Sequence, residues 1–390
     1  MKNAPVSITS SIATRGLRVS RYHASIPPAF SQGVHMVRGR KAVAAKARML
    51  QDLCRRTGQA HAMHWLDYLL TTPTALEKTP ALVLVGLDPG LDPAHASADD
   101  LAGAVLLYEY KIAGRRTRVF ATDDATGHRT VIAPANIRNQ VAEEVCQALM
   151  NDGAVAVMIT FEGSYGNSTA ARKLTTASQI MTRVRSVPRY LPLEETVEAT
   201  LSRLGRHTRR NLRYYRRRLE IEVGAEFVPE VDMGLDQYLA INRASTNPVS
   251  EALARWRYEA IRRTPGTLFA GVRTPKGRWL SLIGGRRLSG VTEIDWQINL
   301  AGLPRHSLST VMRSYLLEHE IEIGTRKLEF AGGTPHPMRH SFVSIDAVDM
   351  IALRRSRLGW LLRKFARWVF PQKNFLGQAL RDPQLPWAQG

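Results

Sequence analysis

Glu293, Asp295 and Gln297 alternate through an otherwise apolar run, and a two-residue period puts all three on one face of a strand. Carboxyl groups so placed can do general acid–base chemistry, and Asp295, beside Trp296, would have its pKa raised if buried. Glu329 lies in the next strand-like run. His336 and His340 flank Arg339, where a proton relay near neutral pH is chemically available. Between these groups, Arg305, His306, Ser307, Ser309 and Thr310 cluster where a helical period begins. A helix start offers free N–H groups and a positive dipole end, so these side chains could complete an anion site. Plainer roles compete for each: carboxylates in a basic chain pair with arginines, loop histidines idle, and serines cap helices.

A second concentration of chemistry is cationic. Leu201 to Leu219 contains eight arginines and no acid. At about 100° per residue, Leu201, Leu204, Thr208, Leu212, Tyr215 and Leu219 form one stripe, and Arg206, Arg210, Arg213 and Arg217 lie opposite. This is a basic amphipathic helix whose guanidinium face suits anions, although a solvated face serving solubility has the same composition. Nucleic-acid phosphates would use that face too, but no helix-turn-helix, zinc-finger, RRM or KH signature surrounds it.

Other chemistries lack motifs. His61 and His64 stand three apart without a nearby Cys or acidic third ligand, so no metal is expected. Gly163-Ser164-Tyr165-Gly166 is not a nucleophile elbow, and neither a P-loop nor a dinucleotide fingerprint occurs. The two cysteines, Cys54 and Cys146, exclude a disulfide framework and favour a reducing compartment.

The elements that must position these groups form two similar series. Lys41 to Leu70 has helical spacing, followed by strand-like runs at Ala81 to Gly86, Ala102 to Tyr110 and Thr117 to Thr122. Ile137 to Met150 then reads as a helix and Ala154 to Phe161 as a buried strand. Further on, Thr267 to Val272, Trp279 to Ile283 and Val291 to Leu300 read as strands, Leu308 to Ile323 as a helix and Lys327 to Ala331 as a strand. The helices from Ile137 and Leu308, and the strands from Ala154 and Lys327, keep nearly equal offsets, which suggests a tandem duplication. The expected division is a basic flexible tail over 1–40, halves over 41–185 and 190–350, and a basic amphipathic tail over 351–390.

The 390 residues exceed what one core usually organises. With 54 Lys and Arg against 34 Asp and Glu, the net charge of +20 favours partners carrying phosphate in some form. No run approaches the roughly 18 to 20 apolar residues of a spanning helix. Lys2, Arg15, Arg18 and Arg21 precede the first acid, Asp52. That composition occurs in mitochondrial transit peptides and equally in a mobile basic arm of a bacterial protein. Over 353–370, Leu358, Leu361, Leu362, Phe365 and Trp368 recur at helical spacing among Arg354, Arg355, Arg357, Arg363, Lys364 and Arg367. Such a helix either lies on an anionic membrane surface or packs on the domain. The expected location is cytoplasmic, peripheral at the inner membrane face if that helix binds lipid.

The string from Leu201-Ser202-Arg203 through Arg209-Arg210-Asn211-Leu212-Arg213 to Arg218-Leu219-Glu220 resembles the opening of the GNAT-like domain in cellulose-biosynthesis (CelD-like) acetyltransferases, relatives of the Fem aminoacyltransferases. Leu328-Glu329-Phe330-Ala331-Gly332-Gly333 is similar to that family's strand and turn, with Glu329 in place of Asp. Met338-Arg339-His340-Ser341-Phe342 is similar to its closing motif, with Met338-Arg339 in place of Tyr-Lys.

The resemblance spans roughly Leu201 to Phe342 and implies an α+β fold of two tandem GNAT-like halves, each a mainly antiparallel mixed sheet flanked by helices. It implies acyl transfer from acyl-CoA, most simply acetyl-CoA, to an amine or hydroxyl of a sugar, envelope or polysaccharide precursor, with no metal. On this plan the donor lies along Val291 to Leu300 and its pyrophosphate at Pro304 to Thr310, where Arg305, His306, Ser307, Ser309 and Thr310 bind it. The glycines of the usual fingerprint are missing there. Asp295, Glu329 and His336 are the candidate catalytic groups, and Arg209, Arg210, Arg213 and Arg339 the candidate substrate-binding ones. The alternatives are a Fem-like transferase using aminoacyl-tRNA and a non-catalytic basic binding or scaffold protein.

Overall fold

Lys78–Gly86 is apolar at almost every position because it is buried on both faces, as a strand between two helical layers must be. We describe the protein from a computed structural model over residues 33–59, 66–67, 70–71, 78–86, 88, 92, 94–112, 114–122, 129–163, 171–175, 178–263, 266–331 and 333–354. His61, His64, the Ser164-Tyr165-Gly166 segment, residues 1–32 and the tail from 355 lie outside these.

The N-terminal half opens with β1 (Val34–Arg38), α1 (Arg40–Ala45) and α2 (Ala47–Arg56). Strands β2 (Lys78–Gly86), β3 (Leu101–Ile112) and β4 (Arg115–Ala121) follow as an antiparallel meander, with β5 (Val131–Ile132) beside β3. Helix α3 (Arg138–Asn151) then crosses to β6 (Ala156–Glu162), which pairs parallel with β4. Next come β7 (Ala171–Thr175) and the long β8 (Ser178–Pro192).

The C-terminal half begins with α4 (Val197–Arg203), α5 (Arg206–Val223), β9 (Glu226–Val228), α6 (Leu235–Arg243) and α7 (Glu251–Arg263). Antiparallel β10 (Thr267–Arg273), β11 (Trp279–Leu288) and β12 (Val291–Asn299) lead into α8 (Leu308–Glu322) and then β13 (Lys327–Phe330), parallel to β12. Meander, helix and parallel strand thus occur twice, in the expected α+β arrangement of two tandem GNAT-like halves.

Helices cover both faces of each half. Helix α3 packs on one face of the first half, while α1 and α2 cover the other. In the second half α4, α5 and α8 share a core with Leu268, Ile283, Ile294 and Leu328. Helices α6 and α7 pack on the reverse face around Tyr238, Trp279 and Trp296.

The halves join through one continuous sheet. Strand β8 pairs with β13 at its end, and β14 (Val343–Arg354) returns from the C-terminal half to lie between β8 and β6. Buried Asp349 fixes β14 by accepting hydrogen bonds from Arg183, Arg185 and Thr160 on its two neighbours.

Three expectations change. Leu201 to Leu219 is two helices, interrupted where Leu204 turns extended before Gly205, although the apolar stripe is buried as expected. Residues 34–38 of the expected tail form β1, which pairs with β2. Residues 351–354 belong to β14, so no amphipathic helix starts at Leu353. Among the described residues no helix is long and apolar enough to cross a membrane.

Candidate functional site

Gly284 and Gly285 interrupt β11 opposite a bulge in β12. Gly284 pairs with Trp296 and Gly285 with Ile294, leaving Asp295 as the extra residue. Glycine is needed because a Cβ on Gly285 would stand 2.0 Å from the Glu293 carbonyl oxygen, and one on Gly284 2.2 Å from the Trp296 ring. The extra residue breaks the alternation of β12. Ile294 packs with the α8 core, whereas Trp296 packs with α6 and α7.

That bulge corrects the expected common face. The Asp295 carboxylate accepts from Arg286 Nε at 3.2 Å and Nη2 at 3.0 Å, on the α7 side. Gln297 has flipped to the α8 side, where its Nε2 donates to Asn299 Oδ1 at 3.1 Å and lies 3.5 Å from the Ser309 carbonyl. Burial pushes the Asp295 carboxyl up to about 6, more than Arg286 pulls it down.

Beyond Ile294 the sheet opens. Strand β13 pairs with β12 only from Val291 to Ile294, ending with the Ala331 N–H on the Ile294 carbonyl at 2.8 Å. From Asp295 to Ile298, β12 is paired on the β11 side alone among the described residues, and beyond that the Asn299 carbonyl accepts from the Thr246 N–H at 2.9 Å. The split therefore has Asp295 on one face and the start of α8 on the other.

Helix α8 is fixed in depth by Glu320. This fully buried carboxylate accepts from Arg287 Nε at 2.9 Å and Nη2 at 2.8 Å, and from the Thr292 and Thr325 hydroxyls. At the other end Ser307 occupies the left-handed region at φ 45°, costing about 1 kcal/mol for a residue with a Cβ. Its carbonyl takes the Thr310 and Val311 N–H groups, so Leu308 and Ser309 supply the first-turn N–H groups that the helix itself does not use.

Ser307, Thr310 and His336 form a chain. His336 Nδ1 accepts from the Met338 N–H at 3.2 Å, so the neutral ring carries its proton on Nε2, 3.3 Å from Thr310 Oγ1. Thr310 Oγ1 is 2.8 Å from Ser307 Oγ. Burial, helped by Arg313, holds His336 down to about 4, so it is uncharged at neutral pH. His336 thus joins the expected anion-binding residues, on the face away from Asp295.

The remaining candidates are distributed elsewhere. His306 Nε2 pairs with Glu222 at 2.8 Å, Arg305 is exposed, and Arg339 and His340 lie exposed on the turn after His336. Glu329 is buried and ion-paired with Arg129 and Arg189. Arg129 also donates to Glu293 Oε2 at 3.1 Å, tying the N-terminal half to β12 and β13. Of the eight arginines, Arg203, Arg216 and Arg218 pair with carboxylates. Arg206, Arg209, Arg210, Arg213 and Arg217 line one surface concavity with the half-exposed Tyr214, and none has a carboxylate partner among the described residues. No group of three or more His, Cys, Asp or Glu side chains among the described residues is placed to hold a metal ion.

Fold and cleft together define a two-half α+β protein with a desolvated carboxyl beside a split strand pair. No family model and no curated protein matches the sequence. Among solved structures, L-PGS from Bacillus licheniformis is 13% identical, with 86% of this chain and 97% of that one covered at a TM-score of 0.46. FemX is 10% identical over 73% and 90%, at a TM-score of 0.45. A tandem GNAT protein from the clavulanic acid biosynthesis pathway, solved without AcCoA, is 12% identical over 83% and 99%, at 0.41. All three likenesses are distant in both sequence and superposition.

Proposed function

We propose that this chain is an acyltransferase, with its chemistry in the C-terminal half and the acyl donor lying in the split between β12 and β13. The single supporting observation is that split, with an anion-seeking helix end on one face and the Asp295 carboxyl on the other. On this reading a thioester donor, acyl-CoA with acetyl the simplest group, sets its phosphates against Leu308, Ser309 and the nearby Arg305. Its acyl end then passes between the strands. Asp295, raised towards neutrality, takes a proton from the acceptor amine or hydroxyl as the new C–N or C–O bond forms. The C–S bond breaks, its electron pair leaves with sulfur as thiolate, and solvent protonates that to the thiol. The acceptor is a sugar, envelope or polysaccharide precursor, its anionic parts met by Arg209, Arg210, Arg213 and Arg339. Saturable binding of acetyl-CoA in calorimetry is the expected result, and its absence in folded protein rejects the acyl-CoA donor.

The arginine concavity favours a second reading, transfer from aminoacyl-tRNA. Five guanidinium groups that lack a carboxylate partner among the described residues, beside an exposed tyrosine, suit a phosphate backbone with unstacked bases. Retention of labelled aminoacyl-tRNA at moderate salt, lost in Arg209→Glu with Arg213→Glu, is the corresponding result. Failure of the wild-type protein to retain it rejects this reading.

A further inference from the structure

Arg313, in the second turn of α8, has no counter-charge among the described residues. Only two arginines among the described residues count as fully buried, Arg286 and Arg313, each 8% exposed. Arg286 has Asp295. Arg313 has no carboxylate partner among the described residues, and its Nε and Nη1 are enclosed with no acceptor among them. Its guanidinium lies 4.9 Å from the centre of the Phe330 ring, which itself stacks on Phe342.

An ion pair is the usual condition for burying a guanidinium, and the groups around Arg313 add positive potential and donors. Arg313 follows Thr310 by three residues, on the same side of α8, and its charge acts on His336, so it adds to the positive potential at this end of the helix. Thr310 and His336 beside it present hydroxyl and imidazole N–H groups. Among the described residues no acidic side chain bonds to Arg313 or His336. Burial lowers Arg313 to about 10, so it remains charged at neutral pH, and its field helps to keep His336 neutral. Positive potential, enclosed donors and an aromatic floor together suit an anionic group.

We propose that Arg313, with Thr310 and His336, is a buried receptor for one oxyanion, a phosphate or carboxylate group of a ligand entering between α8 and the turn that carries His336. The site lies on the flank of α8, one turn past its free N–H groups. It goes beyond acyl transfer, because it stands or falls on binding alone: a protein that bound the anion there but failed to bind acetyl-CoA would keep this site and lose the donor assignment.

Inorganic phosphate and acetate are the probes, added to the full chain at constant ionic strength. Two readouts follow them: thermal unfolding, and NMR of protein labelled with 15N-histidine, with the His336 signals assigned by their loss in His336→Gln. At least one anion should raise Tm saturably and shift the His336 signals. The stronger probe identifies the group, phosphate indicating a phosphoester and acetate a carboxylate. Arg313→Met should lose the response while raising the Tm of ligand-free protein, since an uncompensated buried charge is gone. Arg209→Gln with Arg213→Gln should keep it. His336 signals unmoved by both anions in wild-type protein overturn the proposal, and this arm decides alone if Arg313→Met does not fold. A response that survives in Arg313→Met, or disappears with the surface pair, overturns it as well.

Discussion

Glu293 and Glu329 face each other across the parallel strands β12 and β13, and one guanidinium, that of Arg129, bonds to both. The carboxylates belong to the C-terminal half and the arginine to the N-terminal half, so the contact is a buried weld between them. Arg189 of β8 adds a second cation on Glu329 at 3.3 Å. Two like charges held side by side in a buried place are tolerable only while those arginines remain.

Removing Arg129 should therefore be costly. Arg129→Met is expected to destabilise the protein by about 3 to 5 kcal/mol, the usual penalty for leaving buried charge unpaired. Adding Glu293→Gln and Glu329→Gln should return most of that. Denaturant unfolding measures both. If the triple variant is no more stable than Arg129→Met alone, the cluster is not an electrostatic unit.

Gly285→Ala should close the bulge that places Asp295. The added Cβ meets the Glu293 carbonyl oxygen at 2.0 Å, and a backbone clash cannot be relieved by a rotamer change. The expected outcome is a loss of about 1 to 3 kcal/mol in stability. Under the proposed function, acyl-transfer activity should also fall by more than the unfolded fraction accounts for. Ala at the neighbouring Ser281, which pairs outside the bulge, is the control for simple strand disruption.

What was readable beforehand follows a physical division. Strands β10 to β13 and helix α8 were legible because each buries an apolar pattern of its own period, and so the split and the helix end could be located. Strand β8 was not: Arg183 and Arg185 alternate with apolar residues, and they answer to Asp349, which lies more than 160 positions downstream. Arg129 was silent for the same reason, its carboxylates standing 164 and 200 positions away. The flip of Gln297 did leave a signal, since Gly284-Gly285 inside a strand pattern marks a bulge. Arg313 left none, because α8 is buried on most sides and a polar residue there breaks no amphipathic stripe.

The two titrating groups of the cleft should shape stability against pH in opposite senses. Asp295, raised in the fold to about 6, contributes most when protonated, below its unfolded value, and that contribution is lost as pH rises through 6. His336, depressed to about 4, favours the fold above its unfolded value, and stability drains away as pH falls towards 4. Between pH 4 and 6 the two slopes oppose. Asp295→Asn should thus make stability rise more steeply with pH across that window, and His336→Gln should make it fall. Should Asp295 be the base, the wild-type rate should also rise through about pH 6, and Asp295→Asn should lower it by roughly 10²- to 10⁴-fold. Superimposable stability profiles for wild type and both variants would show that neither group is perturbed.

The arginine concavity makes a prediction that counts contacts. Among the described residues, Arg206, Arg209, Arg210, Arg213 and Arg217 have no carboxylate partner, whereas Arg216 and Arg218, on the same helix, are spent on Glu220, Glu318 and Glu222. If the free five hold a nucleic-acid backbone, each phosphate contact releases counterions and steepens the fall of log affinity with log salt by about 0.7 to 0.9. Arg209→Gln with Arg213→Gln should then lower the slope by about 1.4 to 1.8. Arg216→Gln with Arg218→Gln should leave the slope alone, because those charges already have partners. Tyr214→Ala should weaken single-stranded RNA without altering the slope, since stacking carries no charge. A salt slope identical in wild type and Arg209→Gln with Arg213→Gln would mean that the concavity meets no polyanion, leaving its arginines for a small anionic acceptor.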